Sequence, residues 1–369
     1  MAEAAGAALP SQRYARGVAR GDWNDDPAQH PPLAELDRLH AALLEPDPRG
    51  LLVRLRGRPR PAPKGLYLWG GVGRGKTFLI DLFHEGLPLE EGVGKRRTHF
   101  HRFMREVHAQ LREHAGESDP LKRIAASWRQ DLRVLVLDEF FVDDIGDAML
   151  LGRLTERLFA EGVALVTTSN IEPSGLFKHG LQRERFLPAI AQIEKHCKVL
   201  YMDSDTDYRL RALTRSPVYR APLDAGSEDW LHGRWQDITE GKPATPGQLE
   251  VEGRSIPARA LAAGHAWFDF AALCEGPRAA SDYIEIATEN HTVLVGGIPL
   301  FDGRNDDPAR RFVHLVDELY DRQVNLVCTA AAEPPRLYQG HRLTGAFERT
   351  ASRLIEMQSA EYLAREHRG

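Results

Sequence analysis

The chain has 369 residues, with 48 Lys and Arg against 53 Asp and Glu for a net charge of −5, and 42% of it is hydrophobic. That is globular composition with length for about two domains, which excludes a disulfide-stapled miniprotein and a mostly disordered chain. The three cysteines, Cys197, Cys274 and Cys328, are odd in number and far apart, and fit neither a disulfide framework nor a zinc spacing; a reducing compartment follows.

The longest apolar runs, around Leu135 and Leu294, are strand-sized, so no membrane span is expected. Residues 1–10 lack a basic n-region and are soon followed by Asp22, Asp25 and Asp26, which fits neither a secretory signal nor an Arg-rich transit peptide and leaves a cytoplasmic location as the expectation. The acidic balance argues against strong non-specific nucleic-acid binding.

In chain order, Leu33, Leu36, Leu39 and Leu43 recur at helical spacing before Pro46 and Pro48, and Pro59, Pro61 and Pro63 follow; residues 1–62 read as a helical lead and a stiff linker. From residue 63 the pattern becomes short apolar runs at 66–69, 98–102, 134–137, 164–168 and 199–202, separated by helical stretches. Strands alternating with helices predict a parallel five-stranded sheet covered on both faces, over 63–215.

The first run leads into Gly70-Gly-Val-Gly-Arg-Gly75-Lys76-Thr77, a G-x-x-x-x-G-K-[ST] phosphate loop placed between a strand and a helical run. Its glycines let backbone N–H groups turn inward at a helix N-terminus, which favours anions. The nucleotide-binding stretch is Gly70, Gly71, Val72, Gly73, Arg74, Gly75, Lys76, Thr77 and Phe78; Lys76 reaches the β- and γ-phosphates and the Thr77 hydroxyl holds Mg²⁺. The bland alternative is a Gly-rich turn with an exposed lysine.

His99 and His101 alternate and are expected on one face of a strand, with no carboxylate or cysteine near in sequence to complete a metal site. Phe103 and Met104 open the next helix, as core or as a pore loop. Val134 to Leu137 then run into Asp138 and Glu139 at a carboxyl strand edge, where open α/β sheets place ligands. There Asp138 holds the Mg²⁺ water shell and Glu139 polarises the attacking water. Asn170, closing the next strand, sets a neutral amide beside the γ-phosphate. Arg183 and Arg185, ahead of a helix, offer an arginine finger to a neighbouring subunit's nucleotide, against the reading of surface charges.

Between 216 and 280, Gly, Pro and Ser clusters around short alternating segments read as a small β-rich insertion, in which Trp267, Phe268 and Phe270 fit a half-buried sheet better than a stacking platform. Residues 281–369 read as a strand-helix-strand unit (293–295, 312–320, 325–329) and a terminal helix (345–365). This unit echoes the first: Leu154-x-x-Arg-Leu-Phe…Ala164-Leu-Val-Thr-Thr-Ser-Asn-Ile-Glu-Pro parallels Leu315-x-x-Glu-Leu-Tyr…Asn325-Leu-Val-Cys-Thr-Ala-Ala-Ala-Glu-Pro, with Gly297 and Ile298 for Asp138 and Glu139, and Ala331 for Asn170. A degenerate internal repeat that kept its packing and lost its chemistry is one reading; ordinary helix-to-strand patterning is the other.

Together with the phosphate loop, His99-Phe-His-Arg-Phe-Met104, Leu137-Asp-Glu-Phe-Phe-Val-Asp-Asp-Ile145, Gly180-Leu-Gln-Arg-Glu-Arg-Phe-Leu-Pro-Ala-Ile190 and Phe347-Glu-Arg-Thr-Ala-Ser-Arg-Leu-Ile-Glu-Met357 make the chain resemble the AAA+ ATPases that comprise the bacterial cell-division ATPases and the mitochondrial lactation-elevated ATPases. The resemblance runs from about Tyr14 to Tyr362, and Phe141 departs from it. It implies an AAA+ P-loop fold, ATP hydrolysis and, for bacterial members, association with the division ring protein FtsZ. Carried onto this chain it makes Arg183 the finger with Arg185 in reserve, and Arg353 a sensor-2-like arginine with Arg209 as rival.

The expectation is therefore an α/β AAA+ P-loop ATPase using ATP and Mg²⁺ to regulate FtsZ or another protein partner, as a homo-oligomer with shared active sites. The rival is a nucleic-acid-associated ATPase of the helicase-loader type, which the charge argues against. A catalytically idle interaction protein and a small-molecule kinase fit less well, and no motif supports a proteolytic activity.

Overall fold

The computed structural model describes residues 8–45, 61–71, 73–128, 132–142, 144–178, 180–203, 213–214, 216–239, 241, 243–251, 254–304, 306–365 and 367–368. The chain divides into two compact units, Met1–Thr206 and Asp207–Gly369.

In the first unit, helices α1 (Pro10–Arg20) and α2 (His30–Leu44) precede strand β1 (Gly65–Trp69). Then come α3 (Lys76–Gly86), β2 (Lys95–His99), α4 (Phe100–Glu113), α5 (Pro120–Trp128), β3 (Val134–Asp138), α6 (Ile145–Ala160), β4 (Ala164–Ser169), α7 (Leu187–His196) and β5 (Cys197–Tyr201). The five strands form the expected sheet, all parallel, in the order β2-β3-β4-β1-β5. Alternation sorts the core: Leu66, Leu68, Val134 and Val136 face one layer, Tyr67, Leu135 and Leu137 the other. The first layer includes Tyr14, Leu33, Leu36, Leu39 and Leu43, so the N-terminal helices are part of this unit's core and not a separate lead. Pro59, in the expected linker, lies outside the described residues.

Strand β2 lies three residues earlier than the apolar pattern suggests. Its first three residues are Lys95, Arg96 and Arg97, which hide a strand from a hydrophobicity reading. His99 ends that strand and His101 sits on α4, so the two histidines do not share a strand face. Phe103 and Met104 are both buried in the core.

The second unit comprises β6 (Tyr219–Arg220), α8 (Ser227–Ile238), β7 (Gly247–Val251), β8 (Arg254–Ala258), β9 (Ala260–Ala262), β10 (His265–Asp269), α9 (Phe270–Cys274), α10 (Ala280–Glu289), β11 (Thr292–Ile298), α11 (Asp306–Asp321), β12 (Asn325–Ala330), α12 (Thr344–Glu356) and α13 (Ala360–Leu363). Residues 216–280 are β-rich, but they are not an insertion beside the C-terminal unit. They supply β6, β9 and β10 to one sheet with β11 and β12, in the order β6-β12-β11-β10-β9, and only β7 and β8 form a separate hairpin. Trp267, Phe268 and Phe270 are fully buried, as a packed sheet requires.

The two units follow the same path. Helices α6 and α11 are each 16 residues, strands β4 and β12 each six, and each strand is followed by a 3₁₀ turn, Pro173–Gly175 or Pro334–Arg336. Strand β6 pairs with β12 at Tyr219↔Cys328 as β1 pairs with β4 at Tyr67↔Thr167. The Tyr67 hydroxyl donates to Ile171 O at 2.8 Å, and the Tyr219 hydroxyl to Ala332 O at 2.7 Å. Strand β10 pairs with β11 in the manner of β2 with β3. The repeat read from the sequence is thus a repeat of structure, with one adjustment: the strand register sets Asp138 against Gly296 and Glu139 against Gly297, one residue from the match by sequence.

Candidate active site

Strand β1 opens into the glycine loop at Gly70, whose φ is +147°; a Cβ there would lie 2.6 Å from Met202 O. Gly75 caps α3 at φ +87°, and a Cβ on it would lie 2.7 Å from Gln29 Nε2. Only glycine fits either place. Val72, counted among the nucleotide-binding residues, lies outside the described residues. Lys76, the first residue of α3, is buried, and its ammonium donates to Gly70 O and Gly71 O, both at 2.7 Å, and to Asn170 Oδ1 at 3.0 Å.

At the carboxyl edge of β3, Asp138 is nearly enclosed: Oδ2 accepts from Arg97 Nε at 2.6 Å, while Oδ1 is buried and has no hydrogen-bond partner among the described residues. Glu139 follows with φ +53°, its N–H donating to Thr168 Oγ1 at 3.1 Å. The strand ends are laced together, since Thr167 Oγ1 donates to Leu137 O and Ser169 Oγ to Phe140 O, both at 2.8 Å. These bonds set Glu139 and Asn170 at one crest. The Glu139 side chain is 38% exposed, with Oε2 4.0 Å from His99 Nδ1. Burial holds the His99 imidazole below its ordinary pKa of 6.5, despite the opposing pull of Asp138.

Two residues that the sequence reading passed over complete this corner. Arg97 on β2 bridges Asp138 and Asp81, the latter on α3. Burial works against the guanidinium charge, but Asp138 and Asp81 outweigh it and raise the Arg97 pKa. The signal in the sequence is a run of three basic residues, Lys95 to Arg97, which the fold places on the half-buried edge strand β2.

The arginines divide. In the turn Arg183–Arg185, Arg183 Nη2 donates to Ser174 O at 2.6 Å and its Nε is buried with no hydrogen-bond partner among the described residues, whereas Arg185 is exposed. Arg353 belongs to the second unit, where it pairs with Asp317, lies 3.3 Å from Asp321 and stacks 4.7 Å over the Tyr320 ring. Arg209 lies outside the described residues. Among the described residues no cluster of three His, Cys, Asp or Glu side chains could hold a metal, and no helix is long and apolar enough to cross a membrane.

The second unit lacks this equipment at the matching place. Strand β6 runs into a helix whose first turn carries Glu228 and Asp229, a helix start that repels phosphate.

The sequence profile of the AFG1-like ATPases matches residues 8–366. The cell division protein ZapE of Escherichia coli K12 is 42% identical over 97% of this chain and 98% of its own length. Lactation elevated protein 1 homolog B of Danio rerio is 32% identical over 83% of this chain and 69% of its own. Among solved structures, AMPPCP-bound DnaA from Aquifex aeolicus is similar over 92% of this chain and 89% of its own, at 12% identity and a TM-score of 0.34. With the family profile and the Escherichia coli relative both spanning nearly all of it, the chain belongs to the AFG1-like ATPase family and is an ATP-hydrolysing enzyme.

Proposed function

We propose that the chain hydrolyses Mg²⁺-bound ATP at the crest of β1, β3 and β4, and that this cycle regulates a protein partner in bacterial cell division, FtsZ first among them. One observation carries the catalytic part. The Lys76 ammonium touches both the glycine-loop carbonyls and the Asn170 amide, so the phosphate cradle and the water-orienting side chain lie within one residue's reach.

The roles follow from position. Lys76 exchanges its carbonyl partners for phosphate oxygens. Glu139, partly exposed and one residue beyond Asp138, takes a proton from the attacking water as the bond from the γ-phosphorus to the ADP oxygen breaks. Asn170 orients that water. Thr77 and Asp138 are the magnesium residues, and the donor set fits: Asp138 Oδ1 is a buried carboxylate oxygen with no hydrogen-bond partner among the described residues. Bound there, Mg²⁺ supplies positive charge to the triphosphate.

The active sites are shared between subunits of a homo-oligomer. Arg185, exposed where Arg183 is tied to Ser174, is the residue that reaches a neighbour's nucleotide, and Arg183 braces the turn that presents it. This reverses the order expected from sequence. The division role rests on the Escherichia coli relative, whose likeness covers both chains almost completely. A cytoplasmic location belongs to the same reading.

The test is steady-state ATP hydrolysis against protein concentration, with and without polymerised FtsZ. Specific activity that rises with concentration and shifts with FtsZ supports the reading. Activity flat with concentration removes the shared site; stimulation by single-stranded DNA with no response to FtsZ turns the function to the helicase-loader kind. Mixing Arg185→Ala with Glu139→Gln protein should restore hydrolysis, since each supplies what the other lacks.

A further inference from the structure

Arg97, Asp81 and Asp138 form a mostly buried cluster of one positive and two negative side chains, 15%, 12% and 5% exposed. Arg97 Nε engages Asp138 Oδ2 at 2.6 Å, its Nη1 engages Asp81, and its Nη2 is buried with no hydrogen-bond partner among the described residues. Burying such a cluster is unfavourable unless geometry compensates, so a cluster kept inside a fold calls for a reason.

The second unit shows that the fold is not the reason. In the matching strand pair, Arg97↔Val136 and His99↔Asp138 become Trp267↔Leu294 and Asp269↔Gly296. Trp267 therefore stands in the place of Arg97, and Gly296 in that of Asp138. The Trp267 indole nitrogen lies 3.8 Å from where a Gly296 Cβ would be, and Leu231 Cδ1 of α8, the counterpart of α3, lies 3.2 Å from it. The same register closes there with an indole, a glycine and a leucine, and with Asp269 Oδ1 3.6 Å from the same point. The charges at that place lie at the surface, where Arg259, 42% exposed, pairs with Glu228 and lies 3.7 Å from Asp269, 49% and 51% exposed; the enclosed cluster is the one beside the phosphate loop.

We infer that Arg97, braced by Asp81, is a positioning residue for Asp138. It occupies Oδ2 and leaves Oδ1 as the one oxygen offered to the hydration shell of the cation. Because Asp81 lies on α3, five residues past Lys76, the bridge also holds the phosphate-binding helix and the cation-binding strand at a fixed spacing. A guanidinium fork can do this, whereas an ammonium cannot bridge two carboxylates in one plane. The inference rests on Asp138 being the magnesium residue.

The experiment measures binding of a fluorescent ATP analogue in EDTA and in rising Mg²⁺, and the Mg²⁺ concentration giving half-maximal hydrolysis. Arg97→Gln should keep nucleotide affinity in EDTA within about twofold and raise the half-maximal Mg²⁺ concentration about 10-fold or more, the range for residues that orient metal-binding groups. Arg97→Lys should recover little of it. Asp81→Asn should move the same constant in the same direction by less, and it decides the matter if Arg97→Gln does not fold. Asp138→Asn is the reference: if it leaves the Mg²⁺ requirement unchanged, the assignment of Asp138 falls. If Asp138→Asn shifts the requirement and neither the Arg97 nor the Asp81 variant does, the positioning role alone is overturned.

Discussion

Tyr67→Phe and Tyr219→Phe delete the same hydrogen bond from the two halves of one repeated fold. Each phenol donates to a carbonyl just past the neighbouring strand, Ile171 O at 2.8 Å and Ala332 O at 2.7 Å, and burial keeps both phenols protonated by raising their pKa. Removing either leaves a carbonyl short of its partner, which costs about 1–2 kcal/mol. For units of this size, at about 2–4 °C per kcal/mol, each transition should fall by about 2–8 °C. The functional consequences differ, because Ile171 follows Asn170 whereas Ala332 follows Ala331. If half of the lost energy appears as looser placement of Asn170 in the transition state, Tyr67→Phe lowers kcat about 2–5-fold with an unchanged KM for ATP. Tyr219→Phe should lose similar stability and keep kcat. Calorimetry and steady-state hydrolysis on the full chain measure both. Equal kcat losses in the two variants, or none in Tyr67→Phe despite its lost stability, would refute the link between this bond and the catalytic crest.

Two further outcomes follow from the same geometry. Lys76→Ala should abolish nucleotide binding, while Glu139→Gln binds ATP and loses about 10²–10⁴-fold in turnover; equal binding losses in both, read by isothermal titration, would remove Glu139 from the role of base. Burial is the leading cause that depresses the pKa of His84, His99 and His196 from 6.5, so the folded first unit refuses protons that the unfolded chain accepts. Its stability should therefore decline as pH falls through about 6.5, and urea titrations of His99→Asn should show a shallower decline; an unchanged acid slope would contradict this.

The parallel sheet was legible because Val134 to Leu137 and Ala164 to Val166 are buried on both faces and read as continuous apolar runs. The glycine loop was legible because its chemistry needs fixed residue types at fixed spacing. Strand β2 was misplaced for the opposite reason: Lys95, Arg96 and Arg97 are polar residues held by partners far apart in sequence, such as His84 O for Lys95 and Glu106 for Arg96. No local pattern carries that information. The same applies to the second sheet, where β6 has only two residues and is recognised by its pairing with β12, and to the N-terminal helices, whose leucines announce a helix but not the sheet it covers.

The repeat also separates what the backbone requires from what catalysis requires. Glu139 at φ +53° invites a reading as catalytic strain. Its counterpart Gly297 has φ +74° and makes the same bond, its N–H donating to Thr329 Oγ1 at 3.0 Å as that of Glu139 does to Thr168 Oγ1 at 3.1 Å. The left-handed turn is thus a device of the strand crossing, present with or without a carboxylate. The second unit fills it with the residue that tolerates it, and the first keeps a glutamate there at a cost of about 1 kcal/mol. Glu139→Gly relieves that strain while loosening the unfolded chain by a similar amount, so stability should stay within about 0.5 kcal/mol of the parent even as hydrolysis is lost. Gly297→Ala reverses the logic: a Cβ there meets nothing within 4 Å, so its loss of about 1 kcal/mol is conformational alone. Urea unfolding of both variants gives the two numbers. A clearly destabilised Glu139→Gly beside a neutral Gly297→Ala would mean that the glutamate side chain holds the turn, and that the positive φ belongs to the catalytic site after all.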